Sequence, residues 1–384
     1  MRYAAIILTN VCRLVLSATF ILSGYVKAID PLGTQYKIKD YLEALSLYGV
    51  FPDWLTLSAS VMLSAVEFTL GILLLFAIQR RVISRTILAL MIVMTVITVW
   101  IFFYNPVQDC GCFGDALKLT NGETLAKNIV LTLCAATVAA RPMEMPRLIS
   151  KTNQWIVINY TIIFVFLTSL ISLYTLPKFD FRPYHVGADI KKGMEIPEGA
   201  PQPEFETTFI LKKNGVTKEF TLENYPDSTW EFVDSKTVQT ATGYVPPIHD
   251  FSITLNTTGE DITQQVLDDK GYTFLLISPL LEYADDSNFG NIDQIYEYAQ
   301  DHNVPFYCLT ASGGKAIRRW QELTGAEYPF CTTDETTLKT IIRSNPGLLL
   351  LKDGKVIRKW SHNMLPDTEK MTQPLEKLEI GQMD

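Results

Sequence analysis

Long apolar runs occupy the first part of the chain and end near Leu176. Five of these runs are close to the ~20 residues that a membrane-crossing helix requires: 4–28, 54–78, 86–104, 124–140 and 155–176. From Pro177 onwards, polar and apolar residues alternate with the short periods of a globular domain. The pattern predicts an integral membrane, all-α helical bundle of about five transmembrane helices, followed by a soluble α/β domain with a small β insertion.

Basic residues cluster in two of the short loops between the predicted spans. They are Arg80, Arg81 and Arg85 after the second span, and Arg141, Arg147 and Lys151 after the fourth. Positively charged short loops remain on the cytoplasmic side of a membrane. We therefore expect a multi-pass protein of the inner membrane, with a lipid bilayer around its helices, a cytoplasmic N-terminus and a periplasmic, extracytoplasmic C-terminal domain.

Two charged residues lie inside the predicted spans, where an ionised side chain is costly without a partner. If residues 28 and 54 are level at the outer surface, Arg13 and Glu67 differ in depth by only about 3 Å, at ~1.5 Å per residue. One prediction is an ion pair between them across the first two helices. The alternative is that Arg13 extends its long side chain to the inner interface.

Composition supports the membrane assignment and excludes one class of partner. Of the 384 residues, 48% are hydrophobic, and the mean hydropathy of +0.14 is high for a soluble protein of this length. The net charge is −8, and no long run of Lys or Arg occurs. The sequence therefore offers no basic surface for nucleic acid.

The outer loop between the third and fourth spans contains Asp109, Cys110, Gly111 and Cys112 in succession. Two cysteines separated by one residue can close only a very small disulfide ring, which the conformational freedom of glycine permits. Strained disulfides are the labile, more oxidising ones. Three interpretations stay open: redox chemistry, a structural bridge, or half of a metal site. We expect no metal, because no second cluster of Cys or His accompanies the motif.

A helix is predicted directly after this loop. Thr120 and Glu123 fit a capping box, and Lys127 follows one turn inside the helix. A helix N-terminus and an ammonium group both stabilise a thiolate, which makes Lys127 a candidate third catalytic residue beside the two cysteines. Cys12 and Cys134 lie within spans and are expected to behave as small hydrophobic residues, with a resolving thiol as the alternative for Cys134.

Several of these residues belong to one pattern. It comprises Arg13, the run Ser23-Gly24-Tyr25-Val26-Lys27, the run Glu67-Phe68-Thr69-Leu70-Gly71, the motif Asp109 to Gly114, and Lys127-Asn128. Over roughly residues 8–140 the pattern resembles the MauE branch of the DoxX-like membrane proteins. These proteins are similar to the four-helix bundles of DsbB and vitamin K epoxide reductase, which pass electrons from protein thiols to a membrane quinone.

The resemblance implies that Cys110 and Cys112 are the redox pair and that the bundle holds a quinone near them. The sequence departs from DsbB in two respects. Its cysteines are spaced Cys-x-Cys instead of Cys-x-x-Cys, and its other outer loop, 30–53, contains no cysteine that would relay electrons.

The chain after Pro177 begins with a stretch rich in Pro, Gly and charge, 177–203, that is typical of a linker. Two hairpins are predicted next, one turning at Asn214-Gly215 and one within 230–244. From residue 248, strands alternate with helices, which indicates a mixed sheet covered by helices. The predicted strands are 272–277, 305–309, 348–351 and 356–360, and the predicted helices are 292–300, 315–324 and 336–343.

This order of elements resembles the thioredoxin-like domains of the TlpA and peroxiredoxin type. Residues 250–259 look like their opening hairpin, and Pro346 stands at the position of their cis-proline. Where the redox CxxC would follow the first central strand, this chain has Ser278-Pro279-Leu280-Leu281-Glu282. The resemblance therefore implies a degenerate domain that keeps the groove beside the proline and serves to dock a partner or peptide.

Two further cysteines, Cys308 and Cys331, each stand at the end of a predicted strand. Buried free thiols are one interpretation. A disulfide between them is the other, provided that their strands are neighbours.

Four regions follow from these patterns: a MauE/DoxX-like membrane domain (1–142), a fifth helix (143–176), a linker with a small β module (177–247) and a thioredoxin-like domain (248–384). We predict a membrane thiol-disulfide oxidoreductase that acts on an extracytoplasmic protein thiol or peptide and passes electrons to a membrane quinone. The alternative is a non-catalytic assembly protein that binds partners and whose Cys-Gly-Cys loop is a structural bridge.

Overall fold

The computed structural model describes residues 2–107, 110–202, 204–213, 216–221, 224, 226, 230–241 and 243–366. Within these residues, five helices are long and apolar enough to cross a membrane: Tyr3–Ile29, Asp53–Leu75, Arg80–Tyr104, Asn121–Ala140 and Lys151–Tyr174. The prediction of five transmembrane helices is confirmed. We label the helices of this half α1 (Arg2–Ile29), α2 (Pro31–Ala44), α3 (Asp53–Leu75), α4 (Arg80–Tyr104), α5 (Asn121–Ala140) and α6 (Gln154–Tyr174).

Helix α1 lies at the centre of the membrane bundle, against α3, α5 and α6, while α4 packs on α5. Small residues allow α1 and α3 to approach closely. A Cβ atom added to Gly24 would lie 2.4 Å from the backbone nitrogen of Phe68, and one added to Gly71 would lie 2.8 Å from the backbone nitrogen of Ile21. Close helix packing at glycine is the usual source of association inside a membrane, where burial of apolar surface provides little.

Helix α2 occupies the region that the sequence indicated only as an outer loop. Its first turn is preorganised by Pro31 and capped by Asp30, whose carboxylate accepts a hydrogen bond from Gly33 N at 2.9 Å. The helix packs on the outer part of α3, where Ser60 Oγ donates to Pro31 O at 2.6 Å and Gln35 Nε2 donates to Asp53 O at 2.9 Å. Because Pro31 is level with Ser60, α3 continues about 10 Å beyond the outer end of α1.

A small antiparallel sheet follows the membrane half. It consists of β1 (Glu204–Lys213), β2 (Val216–Thr221) and β3 (Glu231–Ala241), in the order β2-β1-β3. The first predicted hairpin is present as the β1–β2 pair, although its turn at Asn214-Gly215 lies outside the described residues. The second predicted hairpin is wrong, because β3 is a single strand paired with β1, with register shifts between Glu204 and Phe205 and between Ile210 and Leu211.

The C-terminal half is a six-stranded mixed sheet with helices on its faces. Its elements after α7 (Ile190–Met194) are β4 (Thr254–Leu255), α8 (Thr263–Asp268), β5 (Tyr272–Ser278), α9 (Phe289–Asp301), β6 (Phe306–Thr310), α10 (Gly314–Thr324), β7 (Phe330–Thr332), α11 (Glu335–Ile341), β8 (Gly347–Lys352) and β9 (Lys355–Ser361). The strand order is β4-β7-β6-β5-β8-β9. Strands β5, β6 and β7 are parallel to one another. Strand β8 is antiparallel to β5, and β9 is antiparallel to β8.

This topology is that of a thioredoxin-like domain. A β-α-β unit and a terminal antiparallel strand pair share one sheet, and the peptide bond between Asn345 and Pro346 directly before β8 is cis, as predicted. The soluble half therefore has the predicted α/β fold.

Part of the predicted linker belongs to this domain instead. Tyr184 and Ile190 are buried in its core, and Gly187 N donates to Val356 O at 2.7 Å along the edge strand β9. The apolar side chains among these residues outweigh the Pro and Gly content that indicated a linker, because they find a hydrophobic face to cover.

Candidate functional site

The Cys-Gly-Cys motif lies in the loop between α4 and α5, with both cysteines as free thiols. The Sγ atoms of Cys110 and Cys112 are 2.7 Å apart. Gly111 has a φ of +64°, and a Cβ atom at this position would lie 3.0 Å from Lys37 Cγ on α2. Glycine is therefore required both by the left-handed backbone and by the close approach of α2. Asp109, the residue before the motif, lies outside the described residues.

Two hydrogen bonds hold the backbone of this loop on the helices beneath and beside it. Tyr41 Oη on α2 donates to Cys110 O at 2.9 Å, and Ser23 Oγ on α1 lies 2.6 Å from Cys112 O. Phe113, the next residue, is buried. The pair is thus fixed against the bundle on both sides of Gly111.

A buried ion pair lies directly below Cys112. Lys27 Nζ is 2.6 Å from Glu67 Oε2 and 2.8 Å from Oε1, and the two side chains are only 5% and 8% exposed. Ser23 joins this pair to the loop, because its Oγ accepts from Lys27 Nζ at 3.0 Å and lies 2.7 Å from Glu67 Oε2. Isolated charges inside a helical bundle are costly, which makes this desolvated cluster a candidate functional site.

The predicted pair between Arg13 and Glu67 is wrong. Arg13 instead donates from Nη2 to Leu75 O at 2.5 Å and from Nη1 to Asn10 Oδ1 at 3.1 Å, at the end of α3 remote from the cysteines. The prediction placed residues 28 and 54 at one level. Because α3 extends past α1, Glu67 is level with Lys27, about four helical turns along α1 from Arg13.

Lys127 lies on the far side of the motif, on α5. The capping box predicted for this helix is confirmed, with Thr120 Oγ1 accepting from Glu123 N and the Glu123 carboxylate accepting from Thr120 N at 2.9 Å. Lys127 Nζ stands 4.5 Å from the ring centroid of Phe113 and lines the same cavity as Cys112. Its distance to the ring is that of a cation–π contact.

The surroundings of the two thiols shift their pKa values in opposite directions. The hydrogen bond from Cys110 lowers the pKa of Cys112 to about 6. Burial acts in the opposite direction and raises this pKa, whereas the positive charges of Lys127 and Lys27 lower it further. The same hydrogen bond and burial raise the pKa of Cys110 above its usual range. Cys112 is therefore the thiolate of the pair at neutral pH, and the thiolate is the reactive form of cysteine.

A cavity of about 40 Å³ opens beside Cys112 between α1, α4 and α5. Its polar side contains Lys27, Glu67 and Asn128, and its apolar side contains Met91, Met94 and Leu131. A space of this volume holds a small molecule such as water. The two methionines are flexible and allow the apolar side to widen for a larger guest.

Cys134 lies too far from the motif to resolve it. It is 13 positions after Asn121, where α5 begins, which corresponds to about 20 Å along the helix. Its thiol instead neighbours Cys12 of α1 within the apolar core of the bundle. Both residues act there as small hydrophobic side chains.

Cys308 and Cys331 are buried free thiols on neighbouring strands. Cys331 pairs in register with Leu309, the residue after Cys308, so the two cysteines point to opposite faces of the sheet. They pack in separate cores, and burial raises the pKa of each. The geometry excludes the alternative of a disulfide between them.

The position of the absent CxxC is filled by a hydrogen-bonded loop. Ser278 Oγ donates to Asn345 Oδ1 at 2.7 Å, Asn345 Nδ2 donates to Leu280 O at 2.8 Å, and Leu281 N donates to Ser312 Oγ at 2.9 Å. These bonds place the loop beside cis-Pro346 without any thiol. The loop at this position therefore presents no cysteine side chain beside the cis-proline.

Among the described residues, no group of three or more His, Cys, Asp or Glu side chains is arranged to hold a metal ion. The side chains that the sequence reasoning missed as site residues are Ser23, Lys27 and Tyr41. A signal for Lys27 existed, because Lys27 and Ser23 are four residues apart on one helix face at the end of an apolar span. Nothing in the sequence indicated that α2 would bring Tyr41 to Cys110.

Comparison with known proteins gives two family matches within the chain. Residues 5–141 match the family described as methylamine utilisation protein MauE, and residues 205–241 match a domain of unknown function (DUF8463). The first match covers α1 to α5 and the cysteine loop, so the similarity to the MauE family extends over the first five helices of the membrane half. No curated protein matches the chain.

Among solved structures, the chain is similar to the solution structure of a protein described as a protein disulfide isomerase from Bacteroides thetaiotaomicron. The identity is 17%, the match covers 35% of this chain and 85% of that chain, and the TM-score is 0.25. The thioredoxin-like assignment rests on the strand order given above and not on this likeness.

Proposed function

We propose that this multi-pass membrane protein is a thiol-disulfide oxidoreductase in which Cys110 and Cys112 are the exchanging pair. The observation that carries the proposal is geometric: the Sγ atoms of Cys110 and Cys112 lie 2.7 Å apart, and Cys112 faces a cavity inside the bundle that Lys127 also lines. A structural bridge has no need for a lowered pKa, a buried Lys27–Glu67 pair or Lys127 at its side.

The acidity order gives the direction of exchange. A thiolate of the protein partner attacks Cys110 in the oxidised pair, and Cys112 leaves, because the thiol of lower pKa is the better leaving group. The second thiolate of the partner then attacks the mixed disulfide and displaces Cys110. The partner gains a disulfide, and Cys110 and Cys112 become a dithiol, so that electrons and sulfur bonds balance.

Reoxidation of the pair requires an acceptor for two electrons and two protons, and we propose a membrane quinone, which supplies that chemistry. The residues around the cavity fit such a molecule: Lys127 and Asn128 offer donors to a carbonyl oxygen, and Met94 and Leu131 offer an apolar wall. The cavity must widen at Met91 and Met94 to admit a ring.

The site faces the periplasmic side of an inner membrane in this proposal. The basic residues Arg80, Arg81 and Arg147 lie at the opposite end of the helices from the cysteines, in keeping with a cytoplasmic location for that end. The partner is then an extracytoplasmic protein or peptide that carries a pair of thiols.

The test is the redox midpoint of the pair in detergent-solubilised full-length protein, by thiol alkylation and mass spectrometry across glutathione buffers. We expect a midpoint above about −230 mV, in the range of catalytic disulfides. A pair that stays oxidised below roughly −300 mV would be a structural bridge and would favour a non-catalytic assembly protein. Cys134→Ser, which removes a thiol outside the site, is the matched control for Cys112→Ser.

A second experiment addresses the acceptor. The reduced full-length protein is mixed anaerobically with a short-chain quinone, and quinone reduction is followed by its near-ultraviolet absorbance. Wild-type protein and Cys134→Ser should reduce the quinone, Cys112→Ser should not, and Asn128→Leu should raise the quinone concentration needed. Equal rates for wild-type protein and Cys112→Ser would exclude the cysteine pair as the electron donor, and an unchanged quinone requirement in Asn128→Leu would exclude the cavity as the quinone site.

A further inference from the structure

Arg343 links the soluble domain to the membrane domain; it follows α11 and precedes cis-Pro346 by three residues. Its side chain is 6% exposed. Arg343 Nε lies 2.9 Å from both carboxylate oxygens of Asp30, and Nη2 lies 2.9 Å from Asp30 Oδ2 and 3.3 Å from Asp115 Oδ2. One guanidinium group thus joins two carboxylates of the membrane half.

Both carboxylates belong to the segments that hold the cysteine loop. Asp30 caps α2, the helix that carries Tyr41, which bonds to Cys110 O, and Lys37, which packs on Gly111. Asp115 lies in the short 3₁₀ turn Gly114–Ala116, three residues after Cys112. A displacement of Arg343 would therefore release the loop from two directions.

The membrane half is shaped for this contact. A Cβ atom at Gly33 would lie 2.4 Å from Asp30 Oδ2 and 2.8 Å from Arg343 Nη2, so only glycine leaves room for the pair. The ring of Tyr36, one turn further along α2, stands 5.2 Å from the Arg343 guanidinium carbon. A rigid fork of donors matches paired carboxylates and an aromatic face in a way that the compact ammonium of lysine does not.

The charges around this contact agree with a permanent ion pair. Burial alone would raise the pKa of Asp30, but Arg343 outweighs it and leaves the pKa lowered. Asp30 therefore remains ionised at neutral pH. The contact of Arg343 with Asp30 and Asp115, which we call the clamp, does not require protonation of a carboxylate.

From this geometry we propose that Arg343 is a positioning residue for the cysteine pair: the soluble domain, which lacks the CxxC motif, holds α2 and the loop after Cys112 in the arrangement needed for thiol exchange. The inference rests on the proposed function and deepens it, since it gives the thioredoxin-like domain a role within the chain itself. Arg343 touches no reacting atom and acts through Asp30, Asp115 and Tyr41.

The test compares Arg343→Met, Arg343→Lys and Gly33→Ala with Arg319→Met, which removes an exposed arginine of α10. The first readout is the equilibrium of the Cys110–Cys112 pair with glutathione, in full-length detergent-solubilised protein. We expect Arg343→Met and Gly33→Ala to change this equilibrium constant at least threefold, Arg343→Lys to change it less, and Arg319→Met to leave it unchanged.

Gly33→Ala tests the space that the contact needs. Alanine favours a helix over glycine, but its Cβ atom would lie 2.4 Å from Asp30 Oδ2 and 2.8 Å from Arg343 Nη2, so the variant disturbs both the cap of α2 and its contact with Arg343. If the clamp exists, the same methyl group forces Asp30 and Arg343 apart, and the variant should behave like Arg343→Met. An unchanged glutathione equilibrium in both variants, with folding retained, would overturn the proposal.

The second readout does not depend on redox activity. Hydrogen exchange of the backbone amides in 31–44 and 110–120 should be faster in Arg343→Met and Gly33→Ala than in wild-type and Arg319→Met protein. If the wild-type pair proves to be a structural bridge but exchange in these segments still rises, the clamp stands and the proposed function fails. If the wild-type pair is catalytic and neither readout changes, the clamp fails and the function stands.

Discussion

The buried pair of Lys27 and Glu67 permits a quantitative test of how the bundle is held together below the cysteines. The perturbation is Lys27→Met, which preserves the length of the side chain and removes its charge. Glu67 would then keep only Ser23 as a partner, at 2.7 Å, in a position where its side chain is 8% exposed. Breaking a buried ion pair in this way costs about 3–5 kcal/mol of stability, because the remaining charge is uncompensated.

The double variant Lys27→Met/Glu67→Gln should recover most of this loss. It removes both charges and retains the volume, and replacement of a whole buried pair by neutral groups is often close to neutral. The exposed pair of Lys39 and Asp53, 2.8 Å apart with side chains 25% and 74% exposed, is the matched control. Lys39→Met should cost less than about 1 kcal/mol, since surface pairs contribute little.

The assay is reversible unfolding of the full-length protein in mixed micelles, followed by tryptophan fluorescence and converted to a free energy of unfolding. Our reasoning would be refuted by either of two results. One is a Lys27→Met variant within about 1 kcal/mol of wild type, which would mean that Glu67 is protonated or solvated in the bundle. The other is a double variant as unstable as the two single changes added together, which would mean that the two residues do not interact.

Three further predictions follow from other contacts. Since Cys112 has a pKa of about 6, its alkylation rate in the reduced protein should rise about tenfold between pH 5 and pH 7 and then level off; a rate that keeps rising to pH 9 would contradict this, and Cys112→Ser gives the background. Gly24→Ala should destabilise the bundle by about 1–3 kcal/mol in thermal unfolding, because the added Cβ atom would lie 2.4 Å from the backbone nitrogen of Phe68. Gly122→Ala should be tolerated, because its Cβ atom would lie 3.6 Å from the nearest atom, in the Phe102 ring. Equal stabilities of the two variants would show that α1 and α3 are not in this contact. Burial and Arg182 lower the pKa of Lys359 from 10.5 to about 7, so the unfolded state binds more protons than the folded state between these pH values. The free energy of unfolding should therefore rise as pH increases from 7 to 9, by at most about 1.4 kcal/mol per pH unit. Lys359→Met should lose this pH dependence, and a dependence that persists in the variant would assign it to other groups.

The parts of the site that the sequence predicted correctly depend on short-range signals. The capping box at Thr120 and Glu123 and the cis-proline at 346 are each set by neighbours in the chain. The strands β5, β6, β8 and β9 follow from apolar runs bounded by turn residues such as Asp353-Gly354. Signals of this kind survive because local geometry alone satisfies them.

The predictions that failed depended on how two elements are positioned along their axes, or on which face of the sheet a side chain lies. Arg13 was assigned to Glu67 because the outer ends of α1 and α3 were placed at one height, and only the packing of α2 on α3 moves Glu67 to Lys27. A disulfide between Cys308 and Cys331 stayed open until the register of β6 and β7 put the two side chains on opposite faces.

The sequence by itself determined the division into a membrane bundle and a soluble α/β domain, since apolar length and periodicity report directly on the solvent that each segment meets. It also determined which thiols are adjacent in the loop. Only the tertiary structure decided that Ser23, Lys27 and Tyr41 surround the cysteine pair, and that Arg343 reaches Asp30 and Asp115. These contacts join residues far apart in the chain, and no local periodicity records the distance between them.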